Sequence, residues 1–230
     1  MDVNEKSCAI CGAKSVSFKQ LSLLELELAD AHRVELKYKK GEHIAKQGSF
    51  VTHVLYLQKG LIKIYIETEQ ENDIILNIFR GGDYIGLPNL FTNAPLQYNV
   101  AAIEDSIICA IDKTVIENLV LQNGQFAKTI IQTLNNCTLF HYRRLISASQ
   151  KQLNGRMADA LLHLANQVYH SDTFTLSLTR KKLAELAGMS VMSVVRTLKD
   201  FAQNNIIAEE SHNIFKILDK DKLESYSKYG

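Results

Sequence analysis

The chain has no tryptophan and only two prolines among its 230 residues, and those two shortages exclude nothing by themselves. Other absences exclude more. No apolar run approaches the roughly 18 residues needed to cross a bilayer, and residues 1–19 are polar, without the apolar core of a secretory signal. The expectation is a cytoplasmic chain with no membrane partner. Cysteine is scarce, at four residues: Cys8, Cys11, Cys109 and Cys137. In a reducing compartment such thiols are free or metal-bound rather than disulfide-bonded. No nucleophile–base pair, paired carboxylates or histidine cluster stands at catalytic spacing, so no enzyme is expected. Excess charge of either sign is also missing, with 26 basic against 25 acidic residues. That balance excludes only a strongly basic coating protein or an acidic tail.

What is present is an ordinary globular mixture, 46% hydrophobic and 22% charged, rather than a disordered or fibrous one. The charge is unevenly placed. Residues 151–230 carry eleven basic and nine acidic side chains, and the stretch 175–205 alone has a net charge of +3.

Four zones follow one another. Residues 1–20 form a polar arm holding the Cys8-Ala-Ile-Cys11 pair. Leu21, Leu24, Leu28 and Ala31, spaced three and four apart, predict a short amphipathic helix with those residues on its buried face. From Glu35 to Asp112, glycine-punctuated runs rich in β-branched residues, such as 61–66, 74–79 and 107–111, read as an all-β sandwich or barrel. Residues 113–149 are helical, with Gly124 expected to break a short helix from a long one. In the long helix, Ala127, Ile131, Leu134, Thr138, His141, Leu145 and Ala148 repeat at spacings of four and three. That heptad seam favours packing on another helix, most simply its own copy in a homodimer.

Beyond Gln152 the order is helix, strand, helix, turn, helix, hairpin, helix, beginning with an amphipathic helix on Met157, Leu161, Leu164, Ala165 and Val168. Residues 178–198 combine several constraints. Thr179 and Ser190 are N-cap residues, Gly188 suits a left-handed helix end, and Ala184 is small enough for a crossing helix. Leu183, Leu186, Val194 and Leu198 supply a core. This is a helix-turn-helix pattern, whose second helix enters the major groove of DNA. The apolar runs 206–209 and 214–218, with a polar turn at Ser211-His212-Asn213, read as the wing of a winged helix.

These pieces, with Lys40-Gly41-Glu42, Gly48, Tyr56, Gly60 and Gly82-Asp83-Tyr84-Ile85-Gly86, resemble the Crp/Fnr family of bacterial transcription regulators over nearly the whole chain. The resemblance implies an α+β fold: an N-terminal β-roll (double-stranded, jelly-roll-like), a long dimerisation helix and a C-terminal winged helix-turn-helix. The domains are then an arm at 1–20, an effector-sensing β-roll at 21–123, the dimerisation helix at 124–150 and a DNA-binding domain at 151–230. It further implies a homodimer on a near-palindromic double-stranded operator, in contact with RNA polymerase, its affinity set by an effector or redox signal in the β-roll.

The departures from the family pattern are informative. In cyclic-AMP-binding members the cassette glycine precedes a ribose-gripping Glu, and an Arg-Ser pair follows. Here Leu87 follows Gly86, and the loop 93–99 holds no arginine. A buried cyclic phosphate would lack its counter-charge, which argues against cyclic AMP. The candidate effector pocket is Gly86, Leu87, Leu96, Tyr98 and Asn99, with His141 and Tyr142 at the helix positions that meet adenine in such members. The oxygen-sensing branch holds an iron–sulfur cluster on N-terminal cysteines and one strand cysteine. Cys8, Cys11 and Cys109 match three of its four ligands, and the third N-terminal cysteine, expected near Ser17, is absent. A cluster, a zinc site, and a haem on His141, Cys137 or His32 stay open beside a regulator with a filled pocket and no effector.

For DNA, Ser190, Val191, Met192, Ser193 and Arg196 are the outward positions of the second helix. The family likeness assigns Arg196 to a guanine edge. Val191 and Met192 are expected against thymine methyls, and Ser193, Thr179 and Arg180, Lys181 and Lys182 against phosphates.

Overall fold

The computed structural model describes residues 7–69, 73–210 and 213–230. The chain divides into two compact units, Met1–Ile64 with Phe79–Leu139, and Tyr65–Ile78 with Phe140–Gly230.

In the first unit the arm leads into α1 (Leu23–Ala31), which opens with a capping box between Ser22 and Glu25. The strands follow in chain order, with the 65–78 parts of β4 and β5 counted in the second unit: β1 (Arg33–Tyr38), β2 (His43–Ala45), β3 (His53–Lys59), β4 (Leu61–Ile66), β5 (Ile74–Arg80), β6 (Tyr84–Ile85), β7 (Asn99–Ala102) and β8 (Ser106–Asp112). They form two four-stranded sheets, ordered β1-β8-β3-β6 and β2-β7-β4-β5. The chain leaves the first sheet for the second at Gly60, where φ is +100° and an added Cβ would lie 2.6 Å from the Asp105 carbonyl oxygen. Only glycine fits such a crossing. The core gathers residues from β3, β6 and β8 together with Phe18, Leu26, Leu119, Phe126 and Ile130.

Two expectations are corrected here. The buried face of α1 is Leu26 and Ala29, continued by Leu21, while Leu24 is 77% exposed and Leu28 and Ala31 also face outward. The helical period was right and its phase wrong, because the sequence 21–31 has leucines on more than one face. The helix break is set by Asn123 rather than Gly124. α2 (Lys113–Gln122) stops at Asn123, whose side-chain oxygen accepts from the N–H groups of Gln125 and Phe126 and so caps α3 (Gly124–Gln150). Gly124 is the first residue of α3, without a positive φ. On α3, Phe126 and Ile130 are buried, while Ile131 (55%), Leu145 (68%) and Ile146 (55%) are exposed.

The second unit contains α4 (Leu153–His163), extended by a π-helical stretch (Leu164–Tyr169), then β9 (Thr173–Thr175), α5 (Arg180–Ala187), α6 (Val191–Gln203), β10 (Ile207–Glu210), β11 (Ile214–Ile217) and α7 (Lys220–Tyr229). Met157, Leu161, Leu164, Ala165 and Val168 are all buried, as their spacing predicts. The wing is larger than a hairpin, since β9 pairs with β11 in a three-stranded sheet ordered β10-β11-β9. Of its tip, Ser211 and His212 lie outside the described residues, and Asn213 has a φ of 60°. Among the described residues no helix is long and apolar enough to cross a membrane.

Candidate nucleic-acid interface

The α5–α6 pair is built by its caps. The Thr179 hydroxyl accepts from the Lys182 N–H at 3.2 Å, and the Ser190 hydroxyl accepts from the Ser193 N–H at 3.1 Å. Each satisfies a donor that a helix start leaves open. Gly188 ends α5 in the left-handed conformation, at φ 64°. Leu183, Ala184, Leu186, Val194 and Leu198 are buried, so the two helices share one core with α4.

That packing fixes which side chains α6 turns outward. Val191 is 41%, Met192 84% and Val195 51% exposed, and Arg196 is exposed beside them. Ser193 is half-buried and accepts a hydrogen bond from the Ser190 hydroxyl at 2.9 Å. Val195 is an outward residue that sequence reasoning missed, although its place one step before Arg196 was the available signal. A concavity of about 580 Å³ beside α6 is lined by Lys151, Gln152, Asn154, Arg156, Arg196 and Asp200. Of its cations, Lys151 is paired with Asp159 at 2.8 Å and Arg156 donates to backbone carbonyls, which leaves Arg196 beside Asp200.

The basic side chains of α5 are not equivalent. Lys181 is exposed. Arg180 donates to the Glu209 carboxylate of β10 and lies over the Phe215 ring, so it is engaged with the wing rather than projecting alone toward phosphates.

Two further arginines hold this motif from outside it. The Arg144 guanidinium donates to the Leu186 carbonyl at 2.6 Å and to the Leu76 carbonyl at 3.4 Å. Burial lowers its pKa to about 10. Arg156 donates to the Gly188 carbonyl at 3.1 Å and to the Ala148 carbonyl at 2.8 Å. Both cations sit where a helix end presents open carbonyls. Neither lies in the motif, so local pattern could not find them.

In the first unit, Leu87, Leu96 and Asn99 are buried, and Gly86 has a φ of +90°. Burial raises the Tyr98 pKa to about 12, and the Gly86 N–H lies near enough to its hydroxyl to oppose that rise. Asn99 is spent on the Gln47 N–H, at 3.0 Å. His141 and Tyr142 belong to the second unit; there Tyr142 is 61% exposed, and burial followed by the nearby Arg144 charge lowers the His141 pKa.

Cys8, Cys11 and Cys109 line one cavity of about 30 Å³, the space of roughly one water molecule. A four-iron cluster takes four thiolate ligands. Among the described residues no three His, Cys, Asp or Glu side chains are placed to hold a metal ion. The residues present therefore do not fit such a cluster. Cys137 stands apart from these three, near Asp83 and Tyr98, and His32 is exposed with its Nδ1 at 3.0 Å from the Leu28 carbonyl.

Comparison with known proteins agrees with this architecture. Residues 35–123 match the cyclic nucleotide-binding domain family and residues 155–226 the Crp-like helix-turn-helix domain. The chain is 25% identical over 188 residues to Electron transport regulator A of Shewanella oneidensis, covering 80% of this chain and 74% of that protein. It is 27% identical over 188 residues to the cAMP-activated global transcriptional regulator CRP of Salmonella typhimurium, covering 77% of this chain and 87% of that one. Among solved structures, FixK2 from Bradyrhizobium japonicum superposes with a TM-score of 0.77 at 16% identity, covering 84% of this chain and 96% of its own.

Proposed function

The chain belongs to the Crp/Fnr family of bacterial transcription regulators, which are not enzymes, and binds DNA through its helix-turn-helix; from that premise we propose how it does so. It works as a homodimer on a near-palindromic operator, places α6 of each subunit in the major groove, and contacts RNA polymerase. Its affinity is controlled by an effector or redox signal in the β-roll other than cyclic AMP. The observation that carries the reading is the outward row Val191, Met192, Val195 and Arg196 on a helix capped by Ser190. Arg196 supplies the two-pronged donor for guanine, and the apolar residues suit thymine methyls. The exposed Ile131, Leu145 and Ile146 of α3 support the homodimer. The test is selection of bound sites from random duplex DNA by the purified chain. Half-sites related by a two-fold axis, about 10 base pairs apart, are expected. Recovery of unselected sequence overturns the reading.

Although one relative is cAMP-activated, Leu87 is an apolar, buried side chain where a ribose-gripping carboxylate would stand. Calorimetric titration with cyclic AMP is expected to give no binding heat. A second reading, an effector-independent regulator, is favoured by one observation: the half-buried Tyr98 places its hydroxyl near the Gly86 N–H.

A further inference from the structure

We infer that α6 is a methyl reader: next to the guanine assigned to Arg196, the chain responds to the 5-methyl group of a pyrimidine and not to the base that carries it. Duplex DNA bearing 5-methylcytosine is then a second ligand class for this protein, beside DNA with thymine at the same place. The inference rests on the proposed function, which lays α6 in the major groove, and adds what the helix reads there.

The rotational setting of α6 comes from its buried stripe, Val194, Thr197, Leu198 and Phe201. What stays outward in its first two turns is Val191, Met192, Val195 and Arg196. Val191 and Val195 stand four residues apart and Met192 and Val195 three, so the three apolar side chains form one patch. A surface helix ordinarily turns charged or polar residues to solvent. Here the charge is at the edge of the patch, on the exposed Arg196 and Lys199. An apolar centre with a cationic edge fits the floor of the major groove between its phosphate walls. The four residues from Val191 to Val195 rise about 6 Å, close to two base-pair steps of duplex, so the patch meets neighbouring pairs. The valines are stiff at χ1 and hold their methyls in place, while the unbranched Met192 adapts.

What this face lacks decides what it reads. Cytosine is marked in the major groove by an amino donor, which needs an acceptor, and thymine by a carbonyl and a methyl. Val191 and Val195 have no polar side-chain atom, and the Met192 thioether is only a weak acceptor. The Ser190 hydroxyl is spent at the helix start, accepting from the Ser193 N–H at 3.1 Å and donating to Ser193 Oγ at 2.9 Å. Ser193 is itself half-buried. Exchange of thymine's carbonyl for cytosine's amino group therefore goes unread. The methyl on the adjacent ring carbon, common to thymine and 5-methylcytosine, is what the patch can bury.

The test uses the full chain and the site recovered from random duplex DNA. At each half-site position in turn, four duplexes carry thymine, uracil, 5-methylcytosine or cytosine, each with its complementary purine, and anisotropy titration at one salt concentration gives their affinities. Beside the guanine, thymine and 5-methylcytosine are expected to bind alike, and tighter than uracil and cytosine by about fourfold per methyl, the effect of burying one such group. Met192→Glu supplies the missing acceptor and moves the preference at its position to the two amino-bearing bases. Thymine grouping with uracil, and 5-methylcytosine with cytosine, overturns the inference, because the base is then read; so do four equal affinities at every position. Either result leaves the proposed function standing if the recovered site has two-fold symmetry. A chain that selects no DNA sequence overturns the proposed function, and this inference with it.

Discussion

The Arg180 guanidinium of α5 is bound to the Glu209 carboxylate of β10 while its cationic carbon lies 5.2 Å from the centre of the Phe215 ring. The wing thereby neutralises one of the cations nearest the reading helix. An ion pair this exposed contributes little to stability, so releasing it changes DNA binding more than folding. Glu209→Gln is expected to tighten binding to every sequence. Each added phosphate contact steepens the dependence of log K on log salt by about 0.9, which anisotropy titrations over a salt series measure. An unaltered slope with tighter binding counts against the phosphate role.

Arg196 is exposed on α6 and faces the same concavity as Lys151 and Arg156. Arg196→Ala is expected to cost about 1–3 kcal/mol at the selected operator and relax its sequence at one position per half-site. Lys181→Ala is expected to weaken all sequences alike and flatten the salt slope by about one unit. Repeating the site selection with both variants separates base reading from phosphate contact.

The apolar residues that α3 leaves exposed give a direct test of assembly. Leu145 is 68% exposed in the single chain, so Leu145→Arg leaves the subunit core intact. Sedimentation velocity is expected to show a dimer for the native chain and a folded monomer for the variant. Operator affinity should fall with it, because two half-sites then no longer act together.

His163 couples the second unit to acid. Burial, followed by the neighbouring Arg144 charge, lowers its pKa to about 4, and its ring lies tilted by 31° against that of Phe140, with centroids 4.5 Å apart. The unfolded chain returns His163 to about 6.5. Between these values the unfolded state binds the extra proton, so stability is complete above about pH 6.5 and is lost as pH falls toward 4. Each unit of separation corresponds to about 1.4 kcal/mol. Urea midpoints across this window are expected to fall with pH, and His163→Phe should reduce that fall.

The helix-turn-helix was legible because its determinants are local: Thr179, Gly188 and Ser190 act within a few residues of where they stand, and the caps form as their types require. The face of α1 was less so, because leucines at 21, 23, 24, 26 and 28 leave the phase to tertiary packing. At the break between α2 and α3 a strong signal, Gly124, stood beside the residue that acts, Asn123. The strands β2 and β6, three and two residues long, are too short for any periodicity to show. Arg144 and Arg156 reach the motif through carbonyls distant in sequence, and no pattern encodes that. The joining of Cys8, Cys11 and Cys109 at one cavity could be guessed only from their family likeness, and its small size only from the packing.

The Tyr98 hydroxyl lies near the Gly86 N–H. A group tethered to the site it occupies competes as an intramolecular ligand, at an effective concentration of order millimolar or above. Any molecule that seeks that N–H must first displace it, and its apparent affinity falls by the fraction of chains in which Tyr98 has swung away. Under the proposed function the cassette would then act as a threshold for an effector, and Tyr98→Phe is expected to lower it without supplying a new contact.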